Sequence, residues 1–182
     1  PFANRLQSNS DTVTVLRRPT LTLVKTVTND NGGTATTSSV TLSATGPTTI
    51  SGISGAAAIT NAVVAAGTYT LAETALANYA PSAWSCTAGT LTGSSLVLAN
   101  GQNATCTINN NDIAPRLTLV KTITNDNGGT ATTAAFTLSA AGPTTISGLS
   151  GAVAVTNVAV TAGTYTLSET TLAGYTASAW AC

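Results

Sequence analysis

The sequence predicts an all-β chain of two tandem antiparallel β-sandwiches, the second lacking its last strand. Three observations lead there. Residues 21–86 align with 117–182 without a gap, and about three quarters of the positions are identical. Within each copy apolar residues recur with period two, and helical spacing is nearly absent. Gly, Pro, Asn and Ser clusters punctuate these runs at short intervals, as in sandwiches of short strands. Composition agrees: about a fifth of the residues are Thr, and branched Thr and Val suit a pleated, half-buried surface.

Taken in order, Asp11-Thr-Val-Thr-Val-Leu16 alternates like a strand. It precedes Leu21 as Thr105-Cys-Thr-Ile-Asn109 precedes Leu117, with Val13 and Val15 where Cys106 and Ile108 stand. Residues 1–20 therefore read as the last strand of a preceding repeat plus a linker, and as a candidate donor strand. Repeat 1 runs from 21 to 112, residues 113–116 form a linker, and the incomplete repeat 2 covers 117–182. In repeat 1, Leu21, Leu23 and Lys25 share one strand face. Asn31-Gly32 marks a hairpin turn, since Gly accepts positive φ and Asn tolerates it. Val40 and Leu42 begin the next alternating run. Gly46-Pro47 and Ser51-Gly52 signal turns, and Ile59 to Val64 reads as a strand. Tyr69, Leu71 and Glu73 share a face, as do Trp84 and Cys86, and Leu96 and Leu98. Cys106, Ile108 and Asn110 share a face of the last strand. The expectation is about seven short strands per complete repeat.

Charge excludes several functions. Only 7% of residues are charged, the net charge is zero, and there is no His. No basic run is available for nucleic acid or an anionic membrane surface. No apolar run reaches transmembrane length, so neither nucleic-acid binding nor membrane insertion is expected. A Ser/His/Asp set is unavailable without His. No phosphate loop, paired-carboxylate site, Cys-x-x-Cys or Cys/His metal set is seen, so no cofactor and no metal are expected. Asn29-Asp-Asn-Gly-Gly33 and Asn125-Asp-Asn-Gly-Gly129 faintly suggest calcium loops. Calcium needs six or more oxygen ligands, and a turn is the preferred reading.

The three cysteines are Cys86, Cys106 and Cys182. Cys86 and Cys182 are equivalent positions, and Cys106 falls in the stretch without a counterpart in repeat 2. The simplest pairing is Cys86 with Cys106, which leaves Cys182 without its repeat-internal partner. Three free thiols are the alternative. A structural disulfide places the chain outside a reducing cytosol.

The chain has only two lysines, Lys25 and Lys121, and two glutamates, Glu73 and Glu169. Each pair holds equivalent positions in the two copies. Parity sends Lys25, Glu73 and Asn110 inward with Leu23, Leu71 and Ile108. Burial favours the neutral forms of amines and carboxyls. A neutral amine is a nucleophile, and a neutral carboxyl can donate a hydrogen bond and carry a proton. Attack of the Lys25 Nζ on the Asn110 carboxamide would release ammonia and leave an amide crosslink. Fixed proximity supports such a step, because effective molarities reach about 10⁵ M or more. A buried Lys–Glu ion pair without a covalent bond is the plainer reading.

The order of Lys in the first strand, Glu in Tyr69-Thr-Leu-Ala-Glu73-Thr, and Asn in the last strand resembles the CnaB-type, SpaA-like prealbumin-fold domains of bacterial pilins and adhesins. The resemblance implies a spontaneous Lys–Asn isopeptide bond assisted by a buried acid. Lys25 is then the amine, Glu73 the assisting acid and Asn110 the acceptor. Lys121 and Glu169 match in repeat 2, whose acceptor position lies beyond Cys182. The wording departs from the family in Glu73-Thr-Ala-Leu-Ala-Asn-Tyr79, where many members read Glu-Thr-x-Ala-Pro-x-Gly-Tyr, and in the cysteine pair. Three adjacent asparagines, Asn109, Asn110 and Asn111, are candidates, and parity favours Asn110.

The expected function is structural: a subunit of an extracellular bacterial filament, pilus or surface stalk. The expected partner is a second copy, joined head-to-tail when the strand near Thr12–Leu16 completes repeat 2 of its neighbour. A fragment of a longer repeat array is the plainer explanation of the out-of-phase ends. The alternative function is an adhesin module binding a host or matrix ligand. An enzyme acting on an external substrate is not expected.

Overall fold

The structure, a computed structural model, describes residues 16–182. The strand expected at Asp11–Leu16 lies outside the described residues except for Leu16. In chain order the strands are β1 (Thr20–Thr28), β2 (Leu42–Thr45), β3 (Ile50–Gly52), β4 (Ala62–Val63) and β5 (Gly67–Glu73). Then follow β6 (Tyr79–Pro81), β7 (Ser85–Cys86), β8 (Thr90–Thr92), β9 (Ser95–Leu98) and β10 (Asn103–Asp112). The rest are β11 (Arg116–Leu117), β12 (Thr137–Ala141), β13 (Ile146–Leu149), β14 (Val158–Ala159) and β15 (Thr166–Glu169). Among the described residues all helical pieces are three-residue 3-10 turns. The fold is tandem β-sandwich, as the alternation predicts.

Repeat 1 has one sheet of order β4-β1-β10-β6, with β7 also on β10, and a second of order β3-β2-β5-β9-β8. Thr20 Oγ1 donates to Asn103 Oδ1 and Thr26 Oγ1 to Asn109 Oδ1, both across 83 residues. The constant offset means that β1 and β10 run parallel. The buried residues follow parity: Leu21 and Leu23 on β1, Leu42 and Ala44 on β2, Tyr69 and Leu71 on β5, Leu96 and Leu98 on β9, Cys106 and Ile108 on β10. Burial of apolar side chains, at about 25 cal/mol per Å², is what holds the layers together.

Three local expectations fail. Asn31-Gly32 makes no hairpin: β1 and β2 belong to different sheets, so the chain crosses between layers there. Gly32 does have positive φ (88°), but the left-handed residue serves a loop. The hairpin is β2–β3, around Gly46-Pro47. Ser51-Gly52 lies within β3 rather than in a turn. Ile59 to Val64 is not one strand. It is the end of a 3-10 turn, Asn61 at φ 49°, and the two-residue β4. The left-handed Asn61 interrupts pleating. Strands also number ten in residues 20–112 rather than about seven, because turn residues cut the edge strands into two- and three-residue pieces.

The chain divides into two compact units. Among the described residues, one comprises residues 16–25, Val40–Thr74 and Ala83–Ile108; the other comprises Thr26–Ser39, Ala75–Ser82 and Asn109–Cys182. In the second unit repeat 2 folds around Leu119, Leu138, Ala140, Ile146, Val155 and Val160. Its strands form a three-stranded sheet, β13-β12-β15, and a two-stranded one, β11-β14.

Candidate functional site

In repeat 1, β1 carries Lys25 inward at 2% exposure. Its Nζ lies 2.6 Å from Glu73 Oε2, and the two side chains are 0% and 10% exposed. Alternation explains both: Lys25 follows Leu21 and Leu23 on one face, and Glu73 follows Tyr69 and Leu71 on another. The Lys25 amide is held by the Ser54 hydroxyl at 3.1 Å. A charge pair so nearly dry interacts far more strongly than one in water, and breaking it is costly.

Of the three asparagines, Asn110 alone is buried, at 1% exposure. Asn109 faces outward, accepting from the Thr26 hydroxyl at 2.9 Å and donating Nδ2 to Thr28 Oγ1 at 3.2 Å. Asn111 is exposed. The Asn110 Oδ1 is buried and has no hydrogen-bond partner among the described residues. Such an atom is rare, because desolvation without a compensating bond costs about 1–3 kcal/mol. Asn110 pairs in register with Pro81, which has no N–H to give and sits on the edge strand β6.

Cys86 and Cys106 oppose each other in register on β7 and β10 and are joined in a disulfide. Cys182 is a free, exposed thiol. Lys121 repeats the Lys25 arrangement in looser form. Its Nζ lies 2.9 and 2.7 Å from Glu169 Oε1 and Oε2, with side chains 14% and 15% exposed. The ammonium also stands 4.6 Å from the Phe136 ring centre, a cation–π contact. Repeat 1 has Val40 at that position.

Sequence reasoning missed Asp112. It is buried, and its carboxylate accepts from the backbone N–H groups of Asp30 (3.0 Å), Asn31 (2.9 Å) and Gly33 (2.6 Å). Burial alone pushes its carboxyl up. The Gly33 and Asn31 amides, with the Asp30 and Asn31 side chains, outweigh this and hold it below the ordinary aspartate value. Gly33 is required by close approach, since a Cβ there would lie 2.8 Å from Asp112 Oδ2. The Tyr79 hydroxyl braces the same loop, donating to Asn29 Oδ1 (2.6 Å) and accepting from the Ala35 amide (2.9 Å). The calcium reading of Asn29–Gly33 therefore has the wrong sign. The loop aims N–H donors at an anion. Parity could have found Asp112, which continues the inward series Cys106, Ile108, Asn110 by two residues.

The sequence matches the family described as a prealbumin-like fold domain, of the SpaA type, over residues 17–108 and again over 112–182. The chain belongs to the prealbumin-like fold domain family. No curated protein and no solved structure matches it. The prealbumin-like match falls once on each repeat, and such SpaA-type domains point to a structural role in a pilin or surface protein. No helix among the described residues is long and apolar enough to cross a membrane.

Proposed function

We propose that this chain is a structural subunit of an extracellular bacterial filament, pilus or stalk, and that repeat 1 locks itself with an amide bond between Lys25 and Asn110. The observation that supports this best is the dry Lys25–Glu73 contact of 2.6 Å on a strand that neighbours β10, where the buried Asn110 Oδ1 lacks a partner. Lys25 Nζ attacks Asn110 Cγ, and the Cγ–Nδ2 bond breaks. Glu73 first takes a proton from the Lys25 ammonium, which frees its lone pair, and relays that proton to the leaving nitrogen; the proton shed by the attacking nitrogen as the amide forms follows it, so the nitrogen departs as ammonium and the carboxylate is regenerated. An orphaned carbonyl oxygen fits a group that is polarised during reaction rather than held at rest. The product ties the first strand to the last, so a pull on either end is borne by a covalent bond. The Cys86–Cys106 disulfide adds a second tie, closing a loop across 20 residues.

Peptide mapping of folded native protein tests this. Lys25 and Asn110 are expected in one branched peptide, lighter by about 17 Da, the mass of ammonia. An unmodified Lys25 peptide from such material overturns the crosslink.

A further inference from the structure

Three asparagines stand in a row near the end of β10, and the inward apolar series Ala104, Cys106, Ile108 stops just before them. Such a series pins register, because a shift of one residue turns it to solvent. Beyond Ile108 that pin is missing. Asn109, Asn110 and Asn111 are chemically alike, and a bulge would bring a neighbour inward in place of Asn110. The edge strand gives little help, since Pro81 opposite Asn110 has no N–H to donate. On the outer face Asn109 bonds with Thr26 and Thr28, where water competes.

Asp112 supplies a second pin on the far side. It is buried two residues beyond Asn110 and accepts from the amides of Asp30, Asn31 and Gly33, in the loop that follows β1. Asn31 adds its side chain, donating Nδ2 to the Asp112 carbonyl (3.1 Å) and to Oδ1 (3.3 Å). Asp112 also lies in register with Tyr79 on β6, whose hydroxyl holds the same loop through Asn29 and Ala35. Loop, β6 and β10 thus form a closed circuit. The end of β10 cannot slide without breaking charge-assisted hydrogen bonds. Lys25 precedes the loop on β1, so the circuit ties the strand of the acceptor to the strand of the nucleophile.

We propose that Asp112 is a positioning residue for the crosslink: its hold on the loop after β1 fixes the register at the end of β10 and keeps Asn110 on the inward face. This role rests on the Lys25–Asn110 bond proposed above and adds the group that makes it fast. Asp112 touches no reacting atom, and no bond to it forms or breaks. It acts through Asn110, because an intramolecular attack can slow about 100-fold for a misplacement on the order of 1 Å.

The test follows the 182-residue protein from synthesis. Chains are pulse-labelled in a cell-free system buffered with reduced and oxidised glutathione, and samples are taken over time. Intact mass reads the amide bond as a loss of about 17 Da. Protection of Cys86 and Cys106 from alkylation reads the disulfide, which joins β7 to an earlier part of β10 and serves as the internal measure of folding. Asp112→Asn should slow the mass loss about 10-fold or more and leave disulfide formation unchanged. Gly33→Ala reaches the same contact from the loop, where a Cβ would lie 2.8 Å from Asp112 Oδ2, and should do likewise. The two changes together should be no slower than the slower one alone, because they break one contact. Mass loss at the wild-type rate in Asp112→Asn overturns the positioning role and leaves the crosslink standing. So does a parallel slowing of the disulfide, or a double variant in which the two losses multiply. A wild-type chain that forms its disulfide and never loses the mass overturns the crosslink itself, and this role with it.

Discussion

Repeats 1 and 2 share about three quarters of their aligned residues, yet their strands differ in length. Leu21-Thr-Leu-Val-Lys25 lies in a strand of nine residues, whereas Leu117-Thr-Leu-Val-Lys121 has strand geometry only through Leu117. β5 has seven residues and its counterpart β15 has four. The reason is the neighbour. β1 lies beside β10, and β5 pairs with β9 from Gly67 to Thr70. Repeat 2 has no counterpart of either within residues 117–182. Strand length is thus a property of pairing more than of local sequence. The ionic pairs differ in the same direction. The Lys25 side chain is 0% exposed and that of Lys121 is 14%.

The largest expected break in this comparison comes from Lys25→Ala. It leaves the Glu73 carboxyl without its partner in a dry site, which should cost about 3–5 kcal/mol, and it also removes the proposed amide tie to Asn110. Lys121→Ala, at a wetter pair, should cost about 1 kcal/mol or less. Denaturant unfolding of the two 182-residue variants measures both, and equal losses would show that the repeats hold their pairs alike. Next in size is the disulfide. Reduction, or Cys86→Ser with Cys106→Ser, should destabilise repeat 1 by about 3 kcal/mol by loop-entropy reasoning. The unfolding of repeat 2 should stay in place, because Cys182 has no bond to lose.

The smallest effect appears only in acid. Asp112 has its carboxyl held below the ordinary value of 3.8 in the folded chain. A lowered folded value means the stabilisation is complete above the unfolded value and is lost as pH falls through the folded one. The amide shifts of Asn31 and Gly33 should therefore move below about pH 4, while those of Asn127 and Gly129 stay. Parallel movement of both loops would show that Asp112 is not the cause.

Much of the site was legible in the chain. Period two placed Lys25 with Leu21 and Leu23, Glu73 with Tyr69 and Leu71, and Asn110 with Cys106 and Ile108, and each of these is buried or nearly so. The same rule, carried one step further, reaches Asp112. What it could not show is that Asp112 meets a loop 79 residues earlier at Gly33, because a backbone amide leaves no signature in residue type. Asn31-Gly32 misled for a related reason. Its left-handed glycine is real, but φ at one residue does not say whether the flanking strands pair with each other or with others.

By itself the sequence determined which side chains turn inward, since alternation is built into each extended residue and needs no partner. Only the tertiary structure decided where a strand continues, and where a cradle of amides receives its anion. Those depend on hydrogen bonds to segments far away in the chain. Near-identical wording therefore makes a nine-residue strand with a held carboxylate in repeat 1, and a two-residue strand with an open loop in repeat 2.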